Sequence, residues 1–342
     1  MRVAVVGAGV IGFSTALALR RCGHTVEVFE AAEAGRGSSW AGAGILYPLL
    51  PWHYDAVVNQ WCLRGIALQE NWVESLREAS GIDAEHRVTG MRVVGGFGSE
   101  AWGWLRRHGQ RCERNGADLH LPEVAQVRNP RLLDALRVAC ARSGVALHQG
   151  LGVVRPWVTQ GAAKGVCWSS ERRAADAVVW CAGAWSGLIE GVSPPAVFPV
   201  RGQMLALRAP EFASQIVYQD GRYLVPRRDG VVLLGSTMER SGFVNATTPQ
   251  AAAGLLAWAR HIHPALGADR VIRHWAGLRP GSRLNHPFVG RHAAVDGLWF
   301  NTGHFRYGLT MAPACADWLA VAMSEGGAHL PAGAASLAPS GE

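Results

Sequence analysis

This sequence predicts an α/β fold of two interleaved domains, one built on a parallel sheet and the other on an antiparallel sheet, and three observations point to it. The first thirty residues run strand, glycine-rich turn, helix and strand. Two later apolar runs, Ala177 to Trp180 and Leu298 to Asn301, end in turns of small residues. Between Val197 and Leu278 the texture changes to short strands with frequent turn signals. With 342 residues, 49% of them hydrophobic, the chain can bury a large core and is long for one compact domain.

The opening unit carries the most chemistry. Arg2 to Val6 reads as a short buried strand, followed by Gly7-Ala8-Gly9-Val10-Ile11-Gly12, a helix through Arg21, and a second strand from Thr25 to Phe29. A GxGxxG pattern in this context binds a dinucleotide. Gly7 permits the tight turn, Gly9 admits a pyrophosphate to the backbone, and Gly12 lets the helix pack closely on the strand. The helix N-terminus offers free N–H groups and partial positive charge to the phosphates. Glu30, at the end of the second strand, can accept both ribose hydroxyls, which disfavours a 2′-phosphate and hence NADP. The unit alone does not separate NAD from FAD. The stretch Arg36 to Ile45, polar and then small and apolar, could cross the pyrophosphate and pass beneath a flat ring; an ordinary Gly/Ser loop is the plainer account.

The remaining elements follow in order. Apolar points at Trp61, Ile66, Leu68, Trp72 and Leu76 predict a helix over Asn59 to Ser80. Arg87 to Val94 reads as a strand. A helix spans Asn129 to Ser143, with Asn129 as cap and Pro130 in the first position. Val145 to Leu147 and Val153-Val154 read as strands returning to the dinucleotide domain, and Ala177 to Trp180 runs into the small-residue turn Cys181 to Ser186. Met204 to Arg208, Ile216 to Tyr218, Tyr223 to Val225 and Val231 to Leu234 form the antiparallel part, interrupted by a helix from Thr248 to His261. Leu298 to Asn301 leads through Gly303 to Gly308 into a final helix ending near Met323, with Pro313 early in it. The parallel-sheet domain thus takes 1–85, 129–196 and 285–326, the antiparallel-sheet domain takes 86–128 and 197–284, and 327–342, rich in Ala, Gly, Pro and Ser, reads as a loose tail.

Composition excludes several classes. The net charge of +7 favours anionic partners, but the basic residues are scattered with no run of five, which argues against nucleic acid. Seven cysteines at irregular spacing, without CxxC, argue against a disulfide framework or a metal site and suit a reducing cytoplasm. The N-terminus resembles no signal peptide, and no apolar run reaches the roughly 20 residues of a membrane span. The subunit count is left open, a homo-oligomer included.

The stretches Val3 to Gly12, Ser38 to Ile45, Cys181 to Ser186, Pro199 to Met204, Tyr223 to Arg227, Gly235 to Met238, Trp275 to Gly281 and Gly303 to Pro313 resemble, jointly and in order, the D-amino-acid oxidase superfamily of flavoproteins, and most the glycine oxidases of thiamine biosynthesis. The resemblance implies a split Rossmann-type FAD-binding domain plus an antiparallel-sheet substrate domain, with substrate held between flavin and sheet. It implies that Gly7, Gly9, Val10, Ile11, Gly12, Glu30, Ala31, Ser38, Ser39, Ala43, Gly44 and Ile45 line the path of the ADP and flavin, with Ala182 and Gly183 beside it. Val153 would supply a backbone contact to adenine. Gly303, His304, Phe305, Arg306, Tyr307, Gly308, Leu309 and Thr310 would form the loop and helix start against the pyrimidine edge. No cysteine lies between Arg279 and Arg306, so the FAD is expected to be non-covalent.

On residue type alone, Arg279 reads as a surface ion-pair residue, and Tyr223 and Met238 as core. The resemblance changes that: Arg279 would pair bidentately with a substrate carboxylate, Tyr223 would donate to the same group, Met238 would wall the α-carbon, and Arg306 would contact flavin or substrate. The implied reaction is hydride transfer from the α-carbon of glycine or a small D- or N-substituted amino acid to flavin, with an oxo acid, ammonia or amine and, from molecular oxygen, hydrogen peroxide as products. Two other readings stand beside it: a D-amino-acid dehydrogenase using another acceptor, and a tRNA oxidase that cleaves the carboxymethylaminomethyl group of a wobble uridine. Three departures bear on the preference for glycine. Leu284-Asn285 replaces a common Asp-Gly pair, Tyr307 replaces the usual asparagine, and Gly221 leaves room for a larger side chain.

Overall fold

The computed structural model describes residues 1–95, 97–212 and 214–325, so the tail expected over 327–342 lies outside the described residues. Its centre is a six-stranded sheet in the order Phe288–Arg291, Leu298–Thr302, Ala177–Trp180, Arg2–Val6, Thr25–Phe29, Ala146–His148. All neighbours are parallel except the first pair. Along Arg2–Val6 the side chains alternate between two cores: Val3 and Val5 face one, Ala4 and Val6 the other. The first core is covered by four helices, Val10–Arg21, Ala56–Ser80, Asn129–Arg142 and Gly308–Ser324. The second is covered by an antiparallel sheet of three strands, Val154–Thr159, Ala162–Trp168 and Glu171–Ala174.

The strand expected at Val153-Val154 starts at Val154 and belongs to this antiparallel meander, which packs on the parallel sheet. The cap expected for the helix Asn129–Arg142 is corrected: Arg128 is the extended residue before it, and Asn129 is already helical. Its side chain is drawn off elsewhere, donating to the Ser39 carbonyl at 2.7 Å.

The second large layer is an eight-stranded sheet in the order Val271–Ser282, Val197–Arg208, Val231–Gly235, Arg222–Pro226, Ile216–Gln219, Met91–Val93, Asp118–Leu121, Glu113–Asn115. It is antiparallel except where Ile216–Gln219 runs beside Met91–Val93. The strand expected over Arg87 to Val94 breaks at Thr89-Gly90, where Gly90 adopts φ +68° and the chain changes sheets. Leu205, Leu207, Leu224, Val232 and Leu234 pack beneath the helix Pro249–Ile262, which Thr248 caps by accepting from the Ala251 N–H at 3.3 Å. The opposite face of this sheet, with Met204 and Tyr223, turns toward the helical core. Cross-strand pairing therefore brings Gly202 opposite Gly277 and Met204 opposite Gly235, partners 75 and 31 residues away in sequence.

Candidate active site

The nucleotide half of the site is made of backbone. A side chain at Gly12 would overlap the Gly7 carbonyl, and one at Gly7 the Cys181 carbonyl, so the turn closes only without them. The helix Val10–Arg21 begins at Gly9 without a side-chain cap from that residue, and with the Val10 N–H taken by Ser39 it leaves those of Ile11 and Gly12 for an anion. Glu30 bridges the two ends of this unit, accepting from the Ala8 N–H at 2.7 Å and the Ala32 N–H at 3.0 Å. Gly150 and Gly152 donate to the carbonyls of Ala32 and Ala31, which sets the backbone of Val153 beside Glu30 while its side chain stays exposed. Ser39 accepts from the Val10 N–H at 3.0 Å, tying the segment Ser38 to Ile45, which opens on the one-turn helix Ser38–Ala41 rather than as plain loop, to the helix start. Ala182 and Gly183 follow the strand Ala177–Trp180 at the same sheet end, with Gly183 at φ +55°.

The loop is held from its far side by a residue without an expected role. Arg227 donates to the Ala43 carbonyl at 2.7 Å, the Val127 carbonyl at 2.8 Å and Gln126 Oε1 at 2.7 Å. Burial pushes its guanidinium down to about 10, and no carboxylate is among these three acceptors. Its signal in the sequence was only an arginine after an apolar strand; the partners lie 100 or more residues away.

Between this loop and the eight-stranded sheet lies a cavity of about 640 Å³, its open mouth included. Ser38, Ala43, Gly44 and Ile45 form one wall; Tyr223, Arg279, Arg306, Tyr307 and Leu309 meet from the other sides. Arg279 donates to Ser236 Oγ at 2.7 Å and to the Thr237 carbonyl at 3.2 Å, with Tyr223 alongside. Burial lowers its pKa, the expected response of a cation enclosed by protein without a counter-ion. A side chain at Gly202 would overlap the guanidinium, so the cross-strand glycine is what lets Arg279 lie flat on the sheet. Behind it, Glu239 accepts from Thr237 Oγ1 at 2.5 Å, from Gln203 Nε2 at 2.9 Å and from Arg201. Burial pushes the Glu239 carboxyl up, but those donors outweigh it and hold the group below its ordinary range, charged.

The segment Gly303 to Thr310 closes the third side. The Phe305 N–H donates to the Pro280 carbonyl at 3.0 Å, coupling it to the Arg279 strand. His304 is buried, its Nε2 without a partner, and burial holds it down to about 3. Tyr307 precedes the helix Gly308–Ser324, which also lacks a side-chain cap, and Thr310 Oγ1 is buried without a partner. Arg306 donates to the Gly221 carbonyl at 3.4 Å.

One residue is not gathered in. Met238 follows Thr237 but is 65% exposed and outside the cavity lining; the apolar wall is Met204, whose sulfur takes the Tyr223 hydroxyl at 3.8 Å. Met204 belonged to a quoted stretch yet reads as plain core, since nothing in a strand's periodicity tells which buried face borders a cavity. At the substituted pair, Leu284 and Asn285 both adopt left-handed backbone, φ +58° and +60°, so the turn survives with an exposed leucine in a conformation that a glycine would take more cheaply.

These residues fit an FAD: an uncapped helix N-terminus at a turn that excludes side chains, a carboxylate at the ribose position, and unpartnered polar atoms at the start of a second helix. The sequence profile of the FAD dependent oxidoreductase family matches residues 2–322. The chain belongs to that family. FAD is accordingly the cofactor of this FAD dependent oxidoreductase, and the chain is an enzyme. It is 38% identical to a glycine oxidase of Pseudomonas aeruginosa, over 94% of each chain. It is 30% identical to the bifunctional protein ThiO/ThiG of Synechocystis over 91% of this chain and 50% of that one. Among solved structures, the iminodiacetate oxidase of Chelativorans superposes with a TM-score of 0.85 at 27% identity, over 96% of this chain and 97% of that one. No helix among the described residues is long and apolar enough to cross a membrane.

Proposed function

We propose that this oxidoreductase oxidises glycine or a small N-substituted glycine, with molecular oxygen as acceptor, giving glyoxylate, ammonia or an amine, and hydrogen peroxide. The observation that carries the reading is the Arg279 guanidinium: it lies in the cavity facing the small-residue loop, supported by Ser236 and Thr237, with no carboxylate of the chain paired to it among the described residues. Bidentate pairing there anchors a substrate carboxylate, and the Tyr223 hydroxyl adds a donor. The bound FAD supplies the hydride acceptor. The chain supplies orientation, a wall of Met204 and Leu309 that limits water, and a positive field. Arg279 and Arg306 share a cavity whose lining contains no acid, so the field favours loss of the substrate's ammonium proton, which must leave before the α-carbon can give up hydride. The helix start at Gly308 points positive dipole into the same space.

The names of the relatives favour this reading over an acceptor-dependent dehydrogenase or a tRNA oxidase, and the ThiO/ThiG relative supports a place in thiamine biosynthesis. The division into a non-covalent FAD domain over 1–85, 129–196 and 285–326 and a substrate domain over 86–128 and 197–284 is part of the proposal; the membership of the two large sheets supports it. So are a cytoplasmic location, in keeping with seven unpaired cysteines, and assembly as a homo-oligomer. The test is anaerobic bleaching of the flavin by glycine and sarcosine, then peroxide release in air. Arg279→Ala should raise KM about 100-fold, the roughly 3 kcal/mol of a charged bidentate pair. A yellow enzyme that neither substrate bleaches would overturn the reading.

A further inference from the structure

The short strand pair that leads the Ser38 to Ile45 segment out of the cavity lacks one of its bonds. Ile45–Leu46 runs antiparallel to Ala125–Gln126, and that register, extended by one residue, sets Gly44 opposite Val127. The Val127 N–H donates to the Gly44 carbonyl at 2.9 Å. Residues so paired in an antiparallel ladder exchange two bonds. Here the return bond, from the Gly44 N–H to the Val127 carbonyl, is not made. Arg227 has taken that carbonyl instead, at 2.8 Å. Gly44 turns out of the ladder at φ +71°, with the Val127 oxygen so close that a side chain there would overlap it. Its N–H has no partner among the described residues.

The same guanidinium fixes where that N–H goes. Its other arm donates to the Ala43 carbonyl at 2.7 Å. A trans peptide is planar, with its C=O and N–H on opposite sides. A carbonyl drawn toward Arg227 therefore turns the Gly44 N–H the other way, into the cavity that Ala43 and Gly44 line and Arg227 does not. Gln126 sets the fork in place: its Oε1 accepts from Arg227 at 2.7 Å while its amide donates to Thr89 Oγ1 at 3.1 Å.

A buried cation that grips only neutral acceptors is costly. The acids whose charge reaches Arg227, Glu85 and Asp229, are themselves paired with Arg128 and Arg131. We propose that Arg227 is a positioning residue for the flavin: by taking the Val127 carbonyl out of the ladder and pinning that of Ala43, it presents the Gly44 N–H to the ring as a donor that stabilises the negative charge gained on reduction. The inference shares with the function proposed above only the seating of the flavin ring against this segment. The identity of the amine does not enter it.

The test needs no substrate. The midpoint potential of the bound FAD is measured by reductive titration against a reference dye, in the wild type, Arg227→Met and Arg227→Lys. Methionine fills the space but grips neither carbonyl, so the Gly44 N–H is free to return to Val127. The equilibrium constant for reducing the flavin should fall about tenfold, which is about 30 mV for a two-electron couple. Lysine keeps the charge but has no planar fork to span Ala43 and Val127, and its potential should stay within about threefold of the methionine variant in the same constant. A latch with a purely structural duty would lower the unfolding temperature and leave the potential of the retained FAD unchanged, and that result overturns the proposal. Full recovery in Arg227→Lys overturns it too, since it would mark an effect of charge through space. Should Arg227→Met fail to fold or to hold FAD, Gln126→Leu leaves the guanidinium present with one acceptor fewer. It should move the potential in the same direction by about threefold in the constant, and no shift there overturns the proposal. If the potentials move as expected but no amine bleaches the flavin, the positioning role stands and the oxidase reading fails; if glycine bleaches it and the potentials coincide, the reverse holds.

Discussion

The two walls of the cavity are built on different principles. The nucleotide wall, from Gly7 to Ile45, is local and made of main chain: turns, helix N–H groups and one carboxylate some twenty residues from the turn it completes. The opposite wall, where substrate is proposed to bind, is assembled from Gly202, Tyr223, Arg279 and Arg306, which come from distant strands and a closing loop, and its chemistry lies in side chains. The first therefore needs the absence of atoms at a few positions. The second needs charged groups held in place by neighbours, the role of Glu239 and Thr237 behind Arg279.

If that contrast is right, two glycine substitutions should part company. Gly12→Val puts a side chain into the Gly7 carbonyl, and the purified protein is expected to be colourless, read from its visible spectrum. Gly202→Ala intrudes on the Arg279 guanidinium instead. It should stay yellow but raise KM for glycine by roughly 5- to 150-fold, in line with the roughly 1 to 3 kcal/mol of overpacking. A Gly202→Ala protein that loses FAD would erase the distinction between the walls.

The closing loop offers an intermediate case. His304 is held neutral by burial, down to about 3 against an ordinary value near 6.5. Its folded pKa is depressed, so protons favour the unfolded chain. The associated stability is intact above about pH 6.5 and is lost as pH falls toward 3, by about 2 kcal/mol between pH 7 and pH 5. Urea unfolding at both pH values should show this loss in the wild type and a smaller one in His304→Asn; equal losses would remove burial of this imidazole as a cause. The smallest expected effect is at the seam between loop and helix. Ser39→Ala removes one hydrogen bond to the Val10 N–H, and should weaken FAD by about 1 kcal/mol, roughly fivefold in Kd, with little change in KM.

The same contrast explains what could be read in advance. The strand, turn and helix from Arg2 to Arg21 appear where periodicity puts them, because each residue's role there depends on neighbours within a turn or two. Asn129 does not cap its helix because a tertiary partner, the Ser39 carbonyl, claims its side chain. Val154 opens a strand as expected, but which sheet it joins is set by pairing with Trp168, a contact 14 residues away that its own apolar character does not reveal. Met238 is out in solvent and Met204 in the wall, a choice made by sheet packing, which strand alternation cannot distinguish.

By itself, then, the order of residues determined the dinucleotide turn, the acid that completes it and the alternation of buried strands, since these follow from local sterics and hydrogen bonding. Only the tertiary structure decided that Arg227 fastens the segment at Ala43, that a glycine across the strand makes room for Arg279, and that four of the five tyrosines gather near Arg306. Those contacts join segments up to a few hundred residues apart, and their energetics depend on burial and on the missing counter-charge, which exist only once the sheets have packed.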